Sequence, residues 1–183
     1  ALTWNRQETQ LKYGEASFGD LWQDDYRGKV TVRAHSALLA IGLYLDRIGE
    51  LPSDRMRITY DNETDMRRIY KTCTEFAVQH KPWIRQFWSN AQQIHSAYLH
   101  NACSIGQTWD GPAFRLADET SDKIGYVAPI EGALTWMDSM GIPSRAENID
   151  QAYEFINWYY QPASGAMHAN NSGYNSCAYQ AET

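Results

Sequence analysis

Apolar positions along the chain alternate between two repeats, close to 2 and close to 3.6 residues, and the switches mark the elements. Residues 29–33 (KVTVR) alternate β-branched and charged side chains, which predicts a strand. Leu38, Ile41, Gly42 and Leu45 then recur at helical spacing, predicting a helix over about 37–48. Ser36 stands where a cap belongs, Gly49 where a helix stops, and Pro52 lies just beyond. A second helix is expected from Asp61-Asn62-Glu63 to about His80, with acids in its first turn and Met66, Ile69, Tyr70, Cys73 and Ala77 as its stripe. Pro82 ends it. Residues 83–88 suggest a strand, and Asn90 caps a short helix through Leu99. Residues 103–108 form a strand that runs into Trp109-Asp110-Gly111, and Pro112 suits the first turn of the helix that follows. Upstream, residues 1–5 suggest a short strand, residues 5–14 a polar loop, and Ser17 the cap of a helical turn reaching Trp22.

Residues 123–145 (KIGYVAPIEGALTWMDSMGIPSR) give a strand, a tight turn at 129–132 and a second strand. In an extended segment Trp136 and Asp138 point the same way. An aromatic face beside a carboxylate suits an organic cation: the ring quadrupole attracts the charge and the carboxylate accepts its N–H bonds. A core Trp and a turn Asp fit the spacing equally. Asn148-Ile-Asp-Gln151 has capping-box form and opens a helix striped by Ile149, Ala152, Tyr153, Ile156 and Tyr160. From Gln161 the tail is polar and shows no periodic element. Strands alternating with helices argue for an α/β fold with a largely parallel sheet.

Composition narrows the function classes. The 183 residues suffice for one ordinary core, and the net charge of −6 argues against nucleic acid as a partner. No apolar run approaches the roughly 20 residues of a membrane helix. The first residues lack the basic and apolar regions of a signal peptide. Cys73, Cys103 and Cys177 form no CxxC and join no histidine at zinc spacing, so no metal is expected. No nucleophile elbow, HExxH, P-loop or dinucleotide glycine pattern occurs, and no cofactor is implied. A hydrolase-like α/β enzyme with dispersed triad partners stays open, as does a non-catalytic interaction domain built on exposed Tyr and Trp.

GALTWMDSMGIP, the helix after Asn148, and Gln161-Pro162 resemble the C-terminal half of the spermidine/putrescine-binding proteins, the periplasmic receptors of bacterial ABC importers. Residues 107–114 (QTWDGPAF) and the segment from Asp20-Leu21-Trp22 to Gly28-Lys29-Val30 fit the same family in the same order. The resemblance implies a type II periplasmic-binding-protein lobe, a mostly parallel sheet flanked by helices, with an incomplete second lobe. It divides the chain into a ligand-binding lobe with a crossover strand at its start (1–135) and a return crossover with part of the other lobe (136–183). The chain is thus expected to be a piece of a two-lobed protein, the missing first lobe lying outside it, on further sequence or another chain. The implied role is capture of a small cationic amine in the periplasm and delivery to ABC permease subunits, without catalysis.

The same resemblance assigns the contacts. Trp109 matches an aromatic that packs along ligand methylenes, and Trp136 with Asp138 matches an aromatic–carboxylate pair that grips an amine. Tyr174 matches a cleft aromatic in the return segment. One stretch departs from the family: Arg33-Ala34-His35-Ser36 stands where acids usually meet a second amine, and no carboxylate lies between Arg33 and Asp46. Arg33 and His35 at a strand end would repel a distal ammonium, which points to a ligand with one cationic end and a neutral or anionic other end. A core position for His35 is the alternative.

Overall fold

Five short alternating segments pair into one open sheet in the computed structural model, which describes residues 1–179 and residue 181. They are β1 (Leu2–Asn5), β2 (Val30–Val32), β3 (Ile84–Phe87), β4 (Ile105–Gln107) and β5 (Ile124–Val127), in the order β3-β2-β4-β1-β5. The sheet lies in the first of two units, Ala1–Leu134 and Thr135–Thr183. β2 is parallel to β3 and β4, whereas β1 is antiparallel to β4 and β5. Four strands therefore run one way, as the strand–helix alternation implied, and β1 is inserted in the opposite sense.

The pleat sorts the side chains. Leu2, Trp4, Val30, Val32, Ile105 and Val127 enter one core with Phe18 and Leu21 of a 3₁₀ turn, Phe18–Trp22. Helices α1 (Ala34–Arg47) and α2 (Glu63–Gln79) complete it with Ala37, Ile41, Leu45, Ile69 and Cys73. Full burial of such aliphatic side chains stabilises by about 1.5–3 kcal/mol each, so this cluster dominates the fold. The intervening positions Thr3, Thr31 and Gly106 are small. Tyr98 of α3 (Ala91–Leu99) reaches in here, and its hydroxyl donates to the Thr3 carbonyl at 2.9 Å. Gly106 leaves room for this approach: a Cβ there would lie 2.9 Å from the Tyr98 hydroxyl, and 2.4 Å from both the carbonyl oxygen and Cγ2 of Thr31. Trp88, Ile94, Leu116 and Ile124 form the second core, which includes α4 (Asp110–Glu119).

Several local expectations hold. Ser17 caps its turn, in a capping box with Asp20, Asn90 accepts the capping amide bond of α3, and Gly49 takes φ +80 after α1; at α2 the cap is Asn62, which accepts from the Asp65 amide. Others need correction. Arg33, not Ser36, is the N-cap of α1; Ser36 lies inside the first turn, and no side chain caps it. The second strand of the expected hairpin does not form, and residues 132–143 carry no regular structure. The turn is instead tied back to the first unit. The Ile130 amide donates to the Ala16 carbonyl at 2.8 Å, and the Glu131 carboxylate accepts from the Ser17 hydroxyl and, at 3.1 Å, from the Phe18 amide. Arg55 donates to the Glu131 carbonyl at 3.2 Å.

The second unit holds α5 (Ile149–Tyr159) and α6 (Pro162–Ser172). Asn148 does not cap α5 with its side chain: its backbone sits at φ −105, ψ 59, outside the extended region that a cap uses. The expected stripe exists in sequence, yet α5 buries no residue, and Ile149, Tyr153, Phe155 and Trp158 are about half exposed. α6 replaces the expected structureless tail. Its signals are Pro162 at the start and Gly173 in the left-handed region at the end, a Pro-in, Gly-out pairing that outweighs the missing stripe.

Candidate functional site

Because β2, β3, β4 and β5 share a direction, their C-terminal ends lie along one edge of the sheet. In open α/β sheets that edge is where ligands bind, since the chain there turns into helix N-termini and loops. Here β2 delivers Arg33 and the start of α1, β3 delivers Trp88, and β4 delivers Thr108, Trp109 and the start of α4.

These residues meet. The Arg33 guanidinium lies over the Trp109 ring at 4.9 Å from its centroid and over the Trp88 ring at 5.7 Å. The two indoles contact each other edge to face, with centroids 4.9 Å apart. Trp88 is fixed from behind, with Nε1 donating to the Gln107 carbonyl at 2.8 Å and its amide to the Val32 carbonyl at 3.1 Å. Gln107 is itself buried and donates through Nε2 to the Ser36 carbonyl at 3.1 Å, joining the end of β4 to the first turn of α1. Gln107 Oε1 and Asp110 Oδ1 are buried acceptors with no hydrogen-bond partner among the described residues. Among those residues the Arg33 guanidinium has no carboxylate partner and no hydrogen bond; its contacts are the two rings.

The six residues singled out from sequence fall in both units. Arg33 and Trp109 are brought together; Arg33 and Trp109 are partly buried, while His35 is exposed on the first turn of α1. Trp136 and Asp138 lie in the second unit, in the segment without regular structure, Trp136 52 % exposed and Asp138 exposed. Tyr174 is in the same unit, partly buried, directly after Gly173, and its amide donates to the Ser172 hydroxyl at 3.1 Å. Sequence reasoning missed Trp88 and Gln107. The available signal was position: each closes a strand whose direction follows from the βαβ alternation. Two open surface depressions, of about 420 Å³ along α2 and about 640 Å³ beside β3, contain none of these strand-end residues.

Comparison with known proteins completes the picture. A family model described as bacterial extracellular solute-binding protein matches residues 1–183. The spermidine/putrescine-binding periplasmic protein of Escherichia coli is 28% identical over 158 residues, covering 86% of this chain and 41% of that protein. In fold, the chain is similar to a spermidine/putrescine ABC transporter substrate-binding protein from Streptococcus pneumoniae (TM-score 0.73, 21% identity, 98% of this chain and 51% of that one). It is equally similar to a putative spermidine/putrescine ABC transporter protein from Listeria monocytogenes (TM-score 0.72, 21% identity, 98% and 51%). The chain thus spans less than half the length of that curated relative and about half of those solved structures.

Proposed function

Since the chain belongs to the bacterial extracellular solute-binding protein family, we propose that it forms part of the receptor of an ABC importer that captures a small, polyamine-like organic amine. In this reading the complete protein has two lobes, works in the periplasm and hands its ligand unchanged to permease subunits. The relatives named for spermidine and putrescine support the ligand class. The observation that carries the reading on this chain is the indole-lined strand edge: Trp88 and Trp109 already hold an organic cation, the Arg33 guanidinium, against their rings.

The proposed roles are those the family resemblance implies, and their chemistry suits an amine. Trp109 and Trp136 supply apolar walls for methylenes, Tyr174 adds a further aromatic surface, and Asp138 accepts the N–H bonds of the ligand's ammonium. Water exclusion on lobe closure strengthens that bond, because the same charges interact more strongly at lower dielectric. Isothermal titration of the full-length protein with putrescine, spermidine and a monoamine tests the proposal. Saturable 1:1 binding of at least one amine is expected, weakened about tenfold or more by Asp138→Asn, the scale of a lost charge-assisted bond. Heats of simple dilution for every amine would overturn it.

A further inference from the structure

The side chain that covers Trp109 also limits what a ligand can bring to that edge. Arg33 is a permanent cation, its guanidinium lies over the Trp109 and Trp88 rings, and among the described residues no carboxylate or acceptor engages its five N–H groups. With its charge against the rings and no hydrogen bond of its own among the described residues, the guanidinium has its N–H donors open to an acceptor. The surroundings reinforce the positive character. Arg33 is the N-cap of α1, so the uncapped first-turn amides begin at the same strand end. No acidic residue occurs between Arg33 and Asp46. Asp110, the carboxylate next to Trp109, belongs to the same edge, its Oδ1 without a hydrogen-bond partner among the described residues, and it forms no ion pair with Arg33. An ammonium brought to this edge would meet a like charge at the place where its aromatic contact should be. An oxygen acceptor would meet an oriented donor.

Resting on the receptor reading above, we propose that Arg33 is a specificity-determining residue, and that the ligand is an amine with one cationic end whose other end is a hydrogen-bond acceptor, not a second ammonium. The acceptor is a carboxylate or an amide carbonyl, both of which accept two N–H bonds from a guanidinium edge.

The test is a calorimetric panel on the full-length protein with putrescine, spermidine, 4-aminobutyrate and N-acetylputrescine, using the wild type, Arg33→Ala and Arg33→Lys. The wild type is expected to bind 4-aminobutyrate or N-acetylputrescine about tenfold or more tighter than putrescine; which of the two is tighter separates carboxylate from amide. Arg33→Ala is expected to weaken the acceptor-ended ligand about tenfold or more while leaving putrescine unchanged or tighter. Arg33→Lys keeps the charge without the planar fork and falls between. A uniform loss for every ligand would mark a structural role and overturn the assignment. Tightest binding of putrescine or spermidine by the wild type, unaffected by Arg33→Ala, would also overturn it while leaving the receptor reading intact. Binding of none of the four would remove the receptor reading itself. Should Arg33→Ala fail to fold, the wild-type ranking and Arg33→Lys decide the matter.

Discussion

Replacing Glu131 tests how the first unit fastens its last turn. Glu131 is only 5 % exposed, and its carboxylate accepts from the Ser17 hydroxyl and the Phe18 amide, both at the start of the 3₁₀ turn. Hydrogen bonds to charged groups contribute about 1.5–3 kcal/mol each, and the two share one carboxylate, so they do not add fully. Releasing a buried carboxylate recovers part of its desolvation cost. For Glu131→Ala the balance is a loss of about 2–4 kcal/mol, because the Phe18 amide is left buried without a partner while Ser17 Oγ still accepts from Gly19 at 2.9 Å. Glu131→Gln keeps one acceptor oxygen and should lose about half as much. Urea unfolding of the two variants, with Ser17→Ala and the double variant to close the cycle, measures both the cost and the coupling. A loss below about 0.5 kcal/mol for Glu131→Ala, the range of an ordinary surface change, would refute the reasoning.

Three further outcomes follow from the same coordinates. Gly106→Ala should destabilise by about 1–3 kcal/mol in thermal or urea unfolding, since the new Cβ would lie 2.4 Å from the Thr31 backbone oxygen, which cannot rotate away. Thiol titration of the folded chain should label Cys177, which is exposed, before Cys73 and Cys103, whose burial pushes both thiols up to about 11; denaturant should release both, and equal rates in the native state would contradict the packing. Burial raises the carboxyl of Asp20 in the folded state, with the negative charge of Glu131 adding to the effect. Its stabilising contribution is therefore complete below the ordinary carboxylate range, near pH 4, and declines as pH rises through the elevated folded value. Urea midpoints across that window should fall less in Asp20→Asn than in the wild type, and parallel curves would contradict the shift.

Much of the first unit was legible because its local signals agree with its tertiary contacts. The strand KVTVR, the helix cap at Asn90, and the stop at Gly49 each serve the element that the packing requires. The expected hairpin misled because Leu134, Trp136 and Asp138 alternate as a strand does, yet alternation supplies no partner, and the turn before them is held instead by the bonds of Glu131 to Ser17 and Phe18. α6 was hidden by the opposite fault, a helix with good end signals and a polar composition. At the strand edge, Trp109 and the missing acid near Arg33 were visible in the sequence. That the two residues stack on each other was not, because cation–π contact depends on where two strand ends lie side by side.

Equilibrium dialysis of the full-length protein against a mixture of small amines, with the retained and free pools identified by mass spectrometry, tests amine capture most directly. The expected result is one amine enriched on the protein side, near one molecule per protein at saturation, and recovered chemically unchanged after denaturation. Equal concentrations of every amine on both sides, or recovery of an altered ligand, would contradict a receptor that binds and releases without reaction.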